Sequence, residues 1–200
     1  MAGYHHGNLR SSLIETGVDL ARADGPDGVV LREVARRAGV SHNAAYRHFT
    51  DRDALLAEIA AVGMRRLGEA MLAGMDAVAE TDPTGRARER LAACGRAYVV
   101  FALEEPGLFG AAFSPTTGPL ESPTDLATDP YALLGGALDD LAAVGGLADG
   151  RREGAEVLCW SAVHGYAVLH LDGPLNGVPD AERLAGLESL LDQIERGLID

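Results

Sequence analysis

Apolar residues recur along this 200-residue chain at intervals of three and four, with Ala and Leu dominant and β-branched residues sparse. That period predicts helices throughout and no strands, an all-α fold. Leu9, Leu13, Gly17 and Leu20 line one face of a first helix, near 8–24, which Asn8 can cap and Asp24-Gly25-Pro26-Asp27-Gly28 ends. Leu31, Val34, Ala35 and Ala38 make a second helix, 31–38, which Gly39 stops as a left-handed glycine should. Ser41 is a good N-cap for a short third helix over 42–48, and Thr50 with Asp53 resembles a capping box at the start of a long fourth helix running to about Val78. Further helices are expected near 85–104, 106–113, 130–145, 152–171 and 180–198. Between two of these, Ser114 to Pro130 carries four prolines and reads as a loop too long to be a mere connector.

Charge divides the chain in two. The net charge is −13, which by itself argues against nucleic acid. Residues 1–66, however, hold nine arginines against eight acids, while residues 67–200 hold eight against twenty-two. This predicts a head over 1–66 and an acidic body over 67–200, with the boundary inside the fourth helix. Lysine is absent, which reads as coding bias. The two cysteines, Cys94 and Cys159, lie in apolar helical stretches as small hydrophobes and make no disulfide framework. With no run of about 18 apolar residues, the reading is a cytoplasmic protein without a membrane role.

Two short helices joined by Gly39-Val40-Ser41 have the spacing of a helix-turn-helix, whose second helix enters a DNA major groove. Burying Val34, Ala35, Ala45 and Phe49 leaves His42, Asn43, Ala44, Tyr46, Arg47 and His48 at or near the outer surface. Over residues 32–52 five arginines face two acids. A glycine turn between short helices also occurs in many bundles that bind no DNA. Tyr, Arg and two His on an exposed helix weigh toward DNA.

The run Leu31-Arg32-Glu33-Val34-Ala35-Arg36-Arg37-Ala38-Gly39-Val40-Ser41-His42-Asn43-Ala44-Ala45-Tyr46-Arg47-His48-Phe49-Thr50-Asp51-Arg52-Asp53-Ala54-Leu55-Leu56 resembles the N-terminal domain of the TetR/AcrR family of bacterial transcriptional regulators, over roughly residues 8–68. Tyr4-His5-His6-Gly7-Asn8-Leu9-Arg10 and Trp160-Ser161-Ala162-Val163-His164-Gly165 resemble the subgroup with a Trp-x-x-x-His-Gly motif. The resemblance implies an all-helical homodimer, three N-terminal helices that read a double-stranded DNA operator, and a C-terminal domain enclosing a small-molecule effector. By position it puts His42, Asn43 and Ala44 at base edges and Tyr46, His48 and Arg52 at phosphates. Arg32, Ser41 and Arg47 belong to the same surface. Val30 stands where the family usually has a capping Thr or Ser, so that contact is not expected. Asn43 replaces a common glycine and can pair bidentately with adenine.

For the effector pocket the candidates are Met71, Met75, Tyr98, Phe101, Phe109, Phe113, Trp160 and His164, the aromatic ones grouped around the proline-rich loop; core packing is the plainer reading of each. Leu184, Leu187, Leu191 and Ile194 form a stripe on the last helix that must be buried, either in its own core or, as the family implies, in a dimer interface together with Gly165. Tyr4-His5-His6 reads as a flexible arm. His42/His48 and His164/His170 are six apart and fall on different helix faces, so no metal is expected and no cofactor. No nucleophile with a base is legible apart from Ser161 and His164, which read as packing. The expected function is a ligand-released repressor on a near-palindromic operator; the alternative is a helical small-molecule carrier or enzyme with no DNA role.

Overall fold

The computed structural model describes residues 6–114 and 126–199, without the side chains of residues 6–8 and 126. Nine α-helices are described, with two short 3₁₀ turns and no strand among these residues: α1 His6–Asp24, α2 Leu31–Arg37, α3 His42–Tyr46, α4 Arg52–Asp76, α5 Pro83–Glu104, α6 Pro106–Ala112, α7 Pro130–Ala143, α8 Ala155–Leu171 and α9 Asp180–Ile199. Each lies where the three-four periodicity predicts it. No described helix is long and apolar enough to cross a membrane. The Tyr4-His5-His6 arm, His6 backbone excepted, and most of the proline-rich loop lie outside the described residues.

The chain forms two compact units, and their composition departs from a single cut at residue 66. The first holds α1, α2, α3, α4 through Met64, and α6; the second holds α4 from Arg65, then α5, α7, α8 and α9. Residues 105–114 thus belong with the head, a long-range pairing that charge and period do not reveal. In the first unit Leu13 and Leu20 of α1 are fully buried with Leu55, Leu56 and Ile59 of α4. Gly17 lets the two helices meet, since a Cβ there would stand 2.7 Å from Ile59 Cδ1. α6 returns against α1 just as closely: a Cβ on Gly107 would lie 1.9 Å from the Ala21 carbonyl oxygen. Arg22 pairs with Glu105 through both carboxylate oxygens at 2.6 and 2.7 Å beside that contact.

Helix ends follow local chemistry. α4 is capped by Asp51, whose Oδ1 accepts from the Ala54 amide at 2.8 Å, and not by Thr50, whose hydroxyl donates to Asp51 Oδ2. Helix start at 52 makes 51 the N-cap position and turns the expected Thr50–Asp53 box into an Asp cap one residue on. α1 already begins at His6, so Asn8 lies within it.

The second unit packs α5 at the centre of α7, α8 and α9. Leu134, Leu138 and Leu141 of α7, Cys159 and Val163 of α8, and Leu187, Leu191 and Leu198 of α9 are buried there. Arg96 of α5 grips Glu188 of α9 bidentately at 2.6 and 2.8 Å. The Tyr166 hydroxyl of α8 donates to the Arg183 carbonyl at 2.6 Å.

Gly107→Ala is expected to destabilise the first unit by about 1–3 kcal/mol, because the added methyl meets backbone that cannot swing aside. Urea unfolding followed by circular dichroism checks this. Gly136→Ala, on the exposed face of α7 and meeting nothing within 4 Å, serves as the control and leaves the midpoint unchanged or slightly raised.

Candidate nucleic-acid interface

Helix α2 ends because Ala35 and Arg36 carbonyls are claimed by the wrong amides for helix continuation. Val40 N–H donates to Ala35 O at 3.0 Å and Gly39 N–H to Arg36 O at 3.2 Å, the paired bonds of a Schellman stop. Gly39 sits at φ +69° with open space around its missing side chain, so backbone conformation alone selects glycine there. Ser41, extended at φ −71° and ψ 149°, then starts α3, its Oγ accepting from the Ala44 amide at 3.2 Å. Val30 precedes α2 without a side-chain cap, as its apolar side chain dictates.

Because α3 begins at residue 42, positions 44 and 45 turn inward together. Ala45 is fully buried and Ala44 only 8% exposed, so Ala44, expected at a base edge, packs within the head instead. Asn43, Tyr46 and Arg47 are exposed and His42 and His48 half-buried, a continuous outer surface. His42 stacks on Tyr46 with ring centroids 4.3 Å apart. Arg32, from α2, donates through Nε to His42 Nε2 at 3.4 Å, so α2 and α3 present one polar edge. Arg47 has no partner among the described residues and is the free cation of this surface.

The local positive charge is distributed less evenly than a count suggests. Arg36 and Arg37 both donate to Glu33, at 2.7–2.8 Å, and these bonds hold its carboxyl down at about 2. Arg52 differs most from expectation. Its Nε donates to Val29 O at 2.8 Å and its Nη2 to Pro26 O at 2.7 Å, with Asp27 and Asp53 at 3.6 and 3.8 Å. Expected to face phosphate, it is chiefly a clamp joining the start of α4 to the turn before α2. Pro26 O also accepts from the Val29 amide at 3.2 Å, and the guanidinium reaches this carbonyl and that of Val29 at once. Arg10, not singled out in sequence, lies over the buried Phe49 ring at 5.3 Å and pairs with Glu58 at 2.7 Å, a structural role.

The second unit contains a cavity of about 30 Å³. Of the eight expected pocket residues, Met71, Tyr98 and Trp160 line it. Tyr98 and Trp160 meet edge to face at 5.4 Å. His164 stands behind that wall: its Nδ1 lies 2.8 Å from the Tyr98 hydroxyl. Burial lowers the His164 pKa and raises that of Tyr98, so the phenol keeps its proton, the ring is neutral, and the two share one hydrogen bond. Met75 and Phe101 are buried core residues outside the lining. Phe109 and Phe113 meet at a tilt with ring centroids 4.8 Å apart in the first unit, Phe109 in its core and Phe113 half-buried. Arg88, Glu195, Cys94 and Cys159 also line the cavity and were missed. Burial pushes the Cys94 thiol up to about 12 and the Cys159 thiol to about 11, so both stay protonated lining. The available signal was Arg88 itself, one charge ending the apolar series Leu91, Gly95 and Tyr98 on a single face of α5.

The stripe on α9 splits. Leu187 and Leu191 fill the unit's own core, and Ile194 lines the cavity, so these three need no second chain to cover them. Leu184 stays 50% exposed. Exposed apolar residues unforeseen from sequence gather on α8, where Val157 and Leu158, Val168 and Leu169 flank the open Gly165.

Comparison with known proteins bears on both units. Residues 13–59 match the model for bacterial regulatory proteins of the tetR family, and residues 91–194 match the tetracyclin repressor-like C-terminal domain. A Bacillus subtilis (strain 168) protein described as an uncharacterized HTH-type transcriptional regulator, YobS, is 27% identical over 106 residues. That match covers 53% of this chain and 52% of YobS, about half the length of each. A protein of unknown function from Rhodococcus sp. RHA1 superposes over the whole of both chains at 32% identity and a TM-score of 0.79. The TetR family transcriptional regulator PfmR from Thermus thermophilus shares the fold, with a TM-score of 0.59 at 20% identity over 92% of this chain and 97% of its own.

Arg52→Ala is expected to lower the stability of the head by about 1–2 kcal/mol, since two carbonyls lose a charged donor, whereas Arg47→Ala leaves it within about 0.5 kcal/mol. Thermal unfolding of the two variants separates the clamp from the free surface cation.

Proposed function

The chain belongs to the TetR family of bacterial transcriptional regulators, regulatory proteins and not enzymes, and from that premise we propose that it is a ligand-released repressor that reads a near-palindromic operator as a homodimer. The observation carrying this reading is the edge formed by Arg32, His42, Asn43, Tyr46 and Arg47 on a capped, rigidly started helix. Asn43, exposed in the first turn of α3, offers an amide to adenine, while Tyr46 and Arg47, with His48 beside them, approach phosphates. The acidic second unit leaves DNA to the head.

Two copies would set two such helices about 34 Å apart, in successive major grooves. The exposed apolar residues of α8, with Leu184 of α9, support a self-complementary contact centred on Gly165, where absence of a side chain allows close approach. Release is supported by the continuity of α4: Leu55, Leu56 and Ile59 root it in the head, and sixteen positions beyond Leu55 the same helix lends Met71 to the cavity wall. A ligand that prefers one position of Met71 biases that helix. It must bind the two states unequally, by about 1–3 kcal/mol.

DNA from upstream of the chain's own gene, set against a scrambled fragment of equal length across a salt series, tests the reading. Preference for the native fragment is expected; equal binding at every salt overturns it. Asn43→Ala should change base preference at one operator position by about 1–3 kcal/mol, while Arg47→Ala should weaken all sequences alike and make the salt slope shallower by about one. Replacing Val157 and Leu169 by Asp should leave a folded monomer in sedimentation velocity, and a persisting dimer would place the interface elsewhere.

A further inference from the structure

The cavity of the second unit is walled almost entirely by carbon and sulfur, yet two charged side chains stand at one end of it. Met71, Leu91, Leu134 and Val163 supply aliphatic and thioether surface, and Tyr98 with Trp160 an aromatic corner. The Tyr98 hydroxyl is committed to His164. Polar character is therefore concentrated in Arg88 and Glu195 at the rim, their side chains 40% and 32% exposed. Arg88 turns its Nε inward, where it is buried and has no hydrogen-bond acceptor among the described residues. Its nearest carboxylate oxygen, Glu195 Oε1, lies at 3.6 Å, too far for a hydrogen bond. A buried donor without an acceptor costs free energy that a suitable ligand atom recovers.

The pair selects among functional groups. A carboxylate would accept from Arg88 Nε but would meet the Glu195 carboxylate. An ammonium would meet Arg88 and leave Nε unserved. An ether or carbonyl oxygen serves Nε and offers Glu195 nothing. A hydroxyl does both once the part-exposed Glu195 side chain moves its carboxylate from 3.6 Å to the roughly 4.5 Å that two bonds at a tetrahedral oxygen span: the oxygen accepts from Nε–H and its own proton goes to Glu195 Oε1. The opposed charges cancel, so the ligand is neutral. The flexible thioether of Met71 lets the wall yield to a body larger than the cavity as it stands.

We propose that this cavity binds a small neutral alcohol or phenol, its hydroxyl bridging Arg88 and Glu195 and its apolar body against Tyr98 and Trp160. The proposal rests on the ligand-responsive reading above and names the effector's chemical class.

Trp160 is the only tryptophan of the chain, so its emission reports occupancy directly. The full-length protein is titrated with p-cresol, 4-methylanisole and p-toluate, three molecules of one shape that differ in the polar group. The same samples carry the labelled upstream DNA fragment, whose anisotropy reports release separately. Saturable change in Trp160 emission is expected for p-cresol, about tenfold tighter than for the ether or the carboxylate. Glu195→Leu should bring the phenol-to-ether ratio near one, and Arg88→Leu should weaken both ligands while keeping the phenol ahead, with helix content unchanged in each. If Arg88→Leu fails to fold, Glu195→Leu carries the comparison alone. Tight p-cresol binding without DNA release upholds the site and contradicts release by this route. Equal binding of all three, preference for the toluate, or no change in Trp160 emission overturns the site, while release of DNA by some other compound would leave the repressor reading intact.

Discussion

Everything the head presents depends on where α3 starts. That is set by two backbone bonds, Val40 to Ala35 and Gly39 to Arg36, together with the Ser41 cap. Shift the start by one residue and the helix rotates by about 100°, bringing Ala44 or Ala45 to the outer face and turning Tyr46 or Asn43 inward. The residues that fix this register contribute little side-chain chemistry of their own. Gly39 supplies a positive φ and Ser41 one acceptor, and the reading edge follows from them.

Arginine serves three purposes in the head. Arg52 ties the start of α4 to the Pro26 and Val29 carbonyls, and Arg22 holds α6 to α1 through Glu105. Arg36 and Arg37 share Glu33. On the surface of α2 and α3 only Arg47 has no partner among the described residues, with Arg32 lightly engaged by His42. The near-neutral head and acidic body therefore do not represent a diffuse attraction for nucleic acid. In the proposed reading, affinity rests on a few positions whose orientation the backbone has fixed, and the acidic body would discourage binding elsewhere.

The helices were legible because burying a helix face imposes a period that a chain rich in Ala and Leu cannot hide. The glycine stop and the serine cap were legible because each is a local act of two or three residues. Three kinds of information were not. Asp51 outcompetes Thr50 as the cap because the helix begins one residue later than the box requires, a boundary shift no local pattern fixes. Arg52 is held by carbonyls more than twenty residues away in sequence. The stripe on α9 identifies a buried face without naming its cover, so Leu187 and Leu191 read equally as core or interface until α5 and α8 are placed against them. Arg88 illustrates the reverse case: an arginine ending an apolar stripe was visible, but its orphaned Nε exists only in three dimensions.

Selection of bound DNA by the full-length chain from a random duplex library, followed by hydroxyl-radical footprinting of the enriched sequence, tests the central claim most directly. The account predicts enrichment of an inverted repeat protected over two segments about one helical turn apart. A library that returns unenriched, or protection of a single unrepeated segment, would contradict it.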